Sequence, residues 1–347
     1  MTDVLIRVEG RAGRITLNRP GALNALNHDM GNAISAALTR WNEDPAVALV
    51  LIDATGEKAF CAGGDIASIY ERLRARDYGV IRQFWHDEYR MNSQIARYPK
   101  PIVTFLNGFV MGGGVGVGCH ASHRIVGTGS RIAMPETSIG LIPDIGGTML
   151  LASGPGRLGE YLALTAARMT GPDAILAGFA DHFIPEGMWP ELKQSLIEHG
   201  DAAAILAASQ PHPPSDLSAH RDEIDRLFAA DRLGGILAAL AADDSDFGQK
   251  ARKNVESNAP LAMAAALVLI DEARRDNGLE AALSREYRYV FRSVDQGDFL
   301  EGIRARIYDK DNSPRWQHRL DDLPTDGEVA AMLAPLGRDE MVWEDHG

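Results

Sequence analysis

Apolar and polar residues alternate loosely from Val4 to Glu9 and strictly from Arg14 to Asn18. Between them Gly10-Arg11-Ala12-Gly13 supplies turn residues, so the segment predicts a β-hairpin. After Asn18-Arg19-Pro20-Gly21 the period changes. Met30, Ile34, Leu38 and Trp41 recur at helical spacing behind Asn27, a residue suited to cap a helix start. Pro45 lies past that helix, and Ala46 to Ile52 is a continuous apolar run that reads as a strand covered on both faces. A glycine turn, Phe60 to Asp65, leads into a helix predicted for 66–75. A second helical stretch, 77–97, carries Trp85, Tyr89, Met91 and Ile95. A buried strand at 101–105, a glycine run, a short helix and two short strands, 124–126 and 131–134, follow. Beyond Arg157 the chain turns helical (158–167) with one short extended piece at 181–184. From Glu186 it is almost all helix and alanine-rich, broken at Pro211-His212-Pro213-Pro214. Pro260 suits the first turn of a helix. The acidic stretch past Pro324 is expected to be partly loose. Strand–helix units joined by glycine turns argue an α/β fold. We divide it into an α/β core over residues 1–200 and a helical region over 201–347.

Composition narrows the partners. Hydrophobic residues make up 45% of the 347-residue chain and charged residues 24%, which fits a globular protein with a substantial core. The net charge is -13 and no basic tract stands out, which argues against a nucleic-acid partner. An anionic small molecule is still accommodated, through backbone donors and a few local cations. The two cysteines, Cys61 and Cys119, form no CxxC pair. They read as small buried residues beside tight turns, and no metal site is expected. His120 and His123 lack HExxH spacing. Residues 1–9 are mixed and polar, unlike a signal or transit peptide, and no apolar stretch has the length of a membrane span. A cytoplasmic location without membrane association is expected.

Two stretches carry the chemistry. The first is Met111-Gly112-Gly113-Gly114-Val115-Gly116-Val117-Gly118, between a strand and a helix start. Glycines let backbone come close to a ligand, and the free N–H groups of a helix start favour an anion or a developing oxyanion. The second runs from Met134 to Gly147 and holds Glu136 and Asp144 among Met134, Ile139, Leu141, Ile142 and Ile145. An apolar pocket raises a carboxyl pKa towards neutrality, where the group serves as acid or base, and two such groups can divide the roles. The plainer alternative is that Glu136 caps a turn and Asp144 makes an Asx turn onto the Gly146 and Gly147 amides.

In order, Asn18-Arg19-Pro20 with Leu23-Asn24-Ala25-Leu26, Phe60-Cys61-Ala62-Gly63-Gly64-Asp65, Asn107-Gly108 with the Gly112 run, and Pro135-Glu136 through Gly147 resemble the crotonase, or enoyl-CoA hydratase/isomerase, superfamily. The resemblance implies a crotonase-like spiral of ββα units with a helical C-terminal region, and acyl-coenzyme A as ligand. It implies an oxyanion hole made by the Gly64 and Gly113 amides, and coenzyme A contacts largely from backbone around Leu23, Ala62, Asp65 and Ile66. Arg19 is balanced between a phosphate contact and an ordinary surface arginine.

Hydratases of this superfamily use two glutamates. The first position here is Gly116, which cannot move a proton; the second is Glu136. Asp144 stands where hydratases usually have glycine. This departure resembles the 3-hydroxyisobutyryl-CoA hydrolase subfamily, thioesterases of valine breakdown. Glu88-Tyr89, Met111 to Gly116, Gly302-Ile303-Arg304-Ala305, Asp309-Lys310-Asp311 and Pro314-Arg315-Trp316 fit the same subfamily. The resemblance implies that Glu136 attacks the thioester or activates water, that Asp144 assists, and that Glu88 contacts a 3-hydroxyl. Lys310 is expected in a structural ion pair or surface turn. No cofactor is implied beyond the coenzyme A of the substrate, and a homo-oligomer is left open. The alternative is a hydratase or isomerase of the same fold.

Overall fold

The computed structural model describes residues 2–276 and 278–343. The chain forms two compact units: Met1–Asp65, Asp87–Ala133 and Arg168–Ser218 in the first, and Ile66–His86, Met134–Ala167 and Ala219–Gly347 in the second. These segments interleave along the sequence, so residue 200 does not mark the end of either unit.

The first unit holds both sheets. Its strands are β1 (Val4–Glu9), β2 (Ala12–Leu17), β3 (Leu49–Ala54), β4 (Ala59–Cys61), β5 (Ile102–Phe105), β6 (Phe109–Met111), β7 (His123–Val126), β8 (Arg131–Ala133) and β9 (His182–Phe183). One sheet has the order β1-β2-β3-β5-β7-β9 and the other β4-β6-β8. β1 and β2 are the antiparallel hairpin the pattern predicts, but Glu9 lies opposite Ala12, so the turn is only Gly10-Arg11. Gly10 sits at φ 53, and a Cβ there would lie 2.4 Å from the Ile197 carbonyl oxygen. The remaining ladders are parallel. β3 starts three residues later than the apolar run suggests, because the residues after Pro45 are spent on a turn: Val47 N–H donates to the Asp44 carbonyl (3.1 Å).

Helix α1 (His28–Trp41) begins as expected, with the Asn27 side chain accepting the Met30 N–H. Trp41 lies against Gly13, where a Cβ would be 2.5 Å from the indole. One face of the large sheet packs Leu49, Leu51, Val103, Phe105 and Ile125 against Trp189, Leu192 and Leu196 of the helix Trp189–His199. Val50 and Ile52, on the other face, are also fully buried, which explains the lack of polar alternation along β3.

Asp53, near the end of β3, is buried and ties this unit together across the sequence. Its carboxylate accepts from Thr16 Oγ1 (2.7 Å), Arg14 Nη2 (2.9 Å) and Lys193 Nζ (2.8 Å). Burial works to raise its pKa, but Lys193, Thr16 and Arg14 outweigh that and hold it below the ordinary carboxylate value. Asp53→Ala would leave two cations without their shared counter-charge, and we expect a loss of about 3 kcal/mol in denaturant unfolding. Turnover at 25 °C should be unchanged.

The second unit is helical. It contains α2 (Ile66–Arg74), α5 (Gly147–Ser153), α6 (Leu158–Thr165) and the long helices Pro260–Arg275 and Leu279–Gln296. Between α2 and α5 in sequence come α3 (Tyr78–Ala96) and α4 (Gly113–Gly118). The stretch past Pro324 is not loose throughout: Thr325 and Glu328 form a capping box that starts the helix Asp326–Leu333. Among the described residues no helix is long and apolar enough to cross a membrane.

Candidate active site

In the first unit the glycine run forms the end of β6 and all of α4. Gly112 precedes the helix at φ 45 and ψ -121, a conformation open to glycine alone among common residues. Gly114 packs directly on backbone: a Cβ would stand 2.2 Å from the Cys61 carbonyl oxygen. This contact brings the second turn, Cys61 to Gly64, against the start of α4. The Gly64 nitrogen lies 3.5 Å from the position a Gly113 Cβ would take. Among the described residues neither the Gly64 nor the Gly113 amide donates a hydrogen bond within the protein. Two open N–H groups on adjoining turns are what an oxyanion hole requires.

Helix α3 supplies a polar face above α4. Glu88 is buried, and its Oε1 is 2.6 Å from the Gly113 Cβ position. One turn later Asn92 is fully buried, with its Oδ1 2.8 Å from the Gly116 Cβ position. Thus the room in which a hydratase would place its first glutamate is taken by the Asn92 amide. Neither amide atom of Asn92 has a hydrogen-bond partner among the described residues. Sequence reading missed Asn92, since a polar residue inside a helix carries no mark of burial.

The Ala62 N–H donates to the Leu23 carbonyl (3.1 Å) and the Asp65 N–H to the Leu26 carbonyl (2.8 Å), so these two amides are already used. Arg19 pairs with Asp65 (3.0 Å) and donates to the Ala25 carbonyl (2.7 Å), which makes it a brace of this loop. Cys61 and Cys119 are buried thiols whose pKa burial pushes up to about 12, as small packing residues should be. Ile66 begins α2, in the second unit.

The second unit holds the carboxylates. Glu136 opens a 3-10 turn, Glu136–Ile139, just after Pro135. The turn is fixed on three sides. Thr137 Oγ1 donates to the Ala163 carbonyl (2.8 Å), and the Thr137 carbonyl accepts from Ala259 N–H (3.0 Å). Gly302 lies so close that a Cβ would be 2.2 Å from the Ile139 carbonyl oxygen. The C-terminal segment singled out in the sequence therefore supports the Glu136 turn. Its charged residues form a knot in which Arg304 pairs with Glu301 (2.8 Å), Asp309 (2.7 Å) and Asp311 (2.6 Å). Asp309 and Asp311 thus serve Arg304, not Lys310.

Glu136 and Asp144 are each only 5% exposed. Glu136 Oε2 has no hydrogen-bond partner among the described residues. Burial first, then the neighbouring Asp144, and lastly Glu286 push the Glu136 pKa well above its ordinary value. Asp144 is near enough to act on Glu136 electrostatically. The Asp144 turn continues through Ile145 at φ 58 and Gly146 at φ 79.

These features coincide with a family match. The model of a family described as "Enoyl-CoA hydratase/isomerase" matches residues 12–333. The chain belongs to the enoyl-CoA hydratase/isomerase family. Curated relatives named "3-hydroxyisobutyryl-CoA hydrolase, mitochondrial" include one from Gallus gallus, 36% identical over 98% of this chain and 90% of its own length. Another, from Danio rerio, is 38% identical over 91% of this chain and 85% of its own length. Among solved structures, one titled as an enoyl-CoA hydratase from Rhodobacter sphaeroides has 52% identity and a TM-score of 0.95, covering 99% of this chain and 100% of its own. The crotonase-like α/β fold expected from the motifs is borne out. Within the enoyl-CoA hydratase/isomerase family, this member has Gly116 backed by Asn92, and the buried pair Glu136 and Asp144.

Proposed function

We propose that this family member hydrolyses the thioester of 3-hydroxyisobutyryl-CoA, or of a closely related short 3-hydroxyacyl-CoA, to the hydroxy acid and free coenzyme A. The Gly116–Asn92 packing carries this reading. Water addition to an enoyl-CoA in this family needs a second glutamate where Gly116 stands, and Asn92 fills that space. The names of the relatives, placed in valine breakdown by the family resemblance, support the same substrate.

In the proposed mechanism the Gly64 and Gly113 amides hold the thioester oxygen as negative charge develops on it. Glu136 either attacks the carbonyl carbon and expels the coenzyme A thiolate, giving an anhydride that water then opens with release of the proton that ends on the thiolate, or takes a proton from the attacking water. In the second route the tetrahedral intermediate expels the thiolate, and Glu136 returns its proton to sulfur. A raised pKa suits both halves of that cycle, since the group must accept and release a proton near neutral pH. Asp144 orients the water, and no cofactor enters. The cytoplasmic placement belongs to the same proposal; the vertebrate relatives are named as mitochondrial, so their names do not support it.

A thiol-trapping assay over 3-hydroxyisobutyryl-, 3-hydroxypropionyl-, isobutyryl- and crotonyl-CoA tests the reading. Thiol release from the hydroxyacyl thioesters is expected. Hydration of crotonyl-CoA without thiol release would establish the hydratase alternative instead. In the same panel Glu88→Ala should reduce the preference for hydroxyacyl over isobutyryl chains by about 10–100-fold, the worth of one hydrogen bond from a hydroxyl to a buried charged acceptor. Equal losses on both chains would remove Glu88 from hydroxyl recognition.

A further inference from the structure

Ile145 follows Asp144 directly and has φ 58. A β-branched side chain in this left-handed region is strained by about 1–3 kcal/mol, and such a conformation persists only when its surroundings enforce it. The enforcing group lies far along the chain. Glu286, fully buried on the helix Leu279–Gln296, accepts from Gly146 N–H through Oε2 (2.7 Å) and from Thr148 N–H through Oε1 (3.0 Å). The Thr148 hydroxyl donates to the same Oε1. Together these bonds clamp the two residues that flank Gly147, one and three positions beyond the strained Ile145. The Asp144 carbonyl completes the turn by accepting the Gly147 N–H (2.7 Å).

We infer that Glu286 is a positioning residue for the hydrolysis: it locks the Ile145–Thr148 turn and so fixes where Asp144 points. A carboxylate is suited to this because it presents two acceptor oxygens at once to N–H groups that would otherwise be buried without partners. Burial raises its pKa to about 7, a cost at neutral pH that the three accepted bonds and the more distant Arg285 charge partly offset. A leucine or methionine would fill the same volume without that cost, so a carboxylate at this position needs a reason beyond packing. Holding the turn is that reason.

The inference relies on the proposed hydrolase reading only for the role of Asp144; the brace itself can be measured without substrate. In Glu286→Ala, hydrogen exchange at the Gly146 and Thr148 amides should speed up at least 10-fold while the core amides of Ala163 and Leu164 in α6 stay protected. On whichever acyl-CoA the native protein hydrolyses, kcat should fall about 10–100-fold with KM changed less than threefold, because binding does not need the turn and the chemical step does. Glu286→Gln should recover part of the lost kcat, since its Oε1 can accept the Gly146 N–H while its Nε2 donates to the Thr148 oxygen. Val290→Ala, one turn later on the same helix and also fully buried, is the stability control. Unchanged exchange and kcat in Glu286→Ala would overturn the inference. So would a kcat loss that Val290→Ala reproduces at equal loss of thermal stability. Absence of thiol release by the native protein would sink the hydrolase reading while the exchange result still decided the brace.

Discussion

Glu136→Gln should lower thioester hydrolysis by about 10³-fold and at the same time make the protein more stable at neutral and alkaline pH. The first effect follows from the proton. The amide keeps the shape of the carboxyl group but can neither accept a proton from water nor attack the thioester, and removing a general base of this kind costs 10²–10⁴-fold. The second follows from the environment. Glu136 is buried, one of its oxygens lacks a partner, and Asp144 and Glu286 add negative charge nearby. Its folded pKa therefore stands above the unfolded value near 4.5. Between those two values the native state holds a proton that the unfolded chain has released. Stability from this group is thus complete below the unfolded pKa and is lost as pH rises through the folded one. Glutamine does not titrate, so the melting temperature of the variant relative to the native protein should climb between pH 5 and pH 8. Thermal melts at the two pH values, beside thiol release at pH 7.5, check both halves. A variant that keeps near-native turnover would take Glu136 out of the mechanism. One whose relative stability falls with pH would contradict the burial argument.

The opposed signs of these two effects bear on what the sequence could reveal. Glu136 and Asp144 were legible because their apolar neighbours are neighbours in sequence, so the pocket could be read locally. The glycine run and the Asn27 cap were legible for the same reason. Glu286 was not: it braces a turn 138–140 positions away, and along its own helix it reads as one more polar residue. The Asp53–Lys193 pair is equally remote. Arg19 looked free to meet a phosphate until the fold placed Asp65 beside it. In the β4-β6-β8 sheet only β8 is legible as a strand; β4 and β6, at three residues each beside glycine turns, are too short to show a period. The helix at Asp326–Leu333 is a different kind of miss. Its capping box is present in the sequence as Thr325 and Glu328, a local signal that the acidic composition of the tail masks.

Neighbouring glycines in the run should separate fold from function when each is changed to alanine. At Gly114 a methyl group would meet the Cys61 carbonyl oxygen at 2.2 Å, with the Cys61 Cβ at 2.9 Å. Backbone cannot swing aside, so the turn carrying Gly64 and the start of α4 must part. We expect Gly114→Ala to cost about 3 kcal/mol or more in unfolding, the upper range for an overpacked core. At Gly113 the methyl would meet chiefly the tip of Glu88, at 2.6 Å, which can rotate away. A helical alanine is intrinsically favoured over glycine by about 1 kcal/mol, so Gly113→Ala should melt within about 1 kcal/mol of the native protein. Its activity should nonetheless fall about 10²-fold, because the methyl displaces Glu88 and crowds the approach to the two open amides. Chemical denaturation and thiol release on the purified variants read the contrast. If Gly113→Ala were fully active, the Gly64 and Gly113 amides could not be the groups that meet the carbonyl. Those two outcomes together would assign the adjoining glycines different work: Gly114 holding two turns together, and Gly113 leaving the space between them open for a substrate atom.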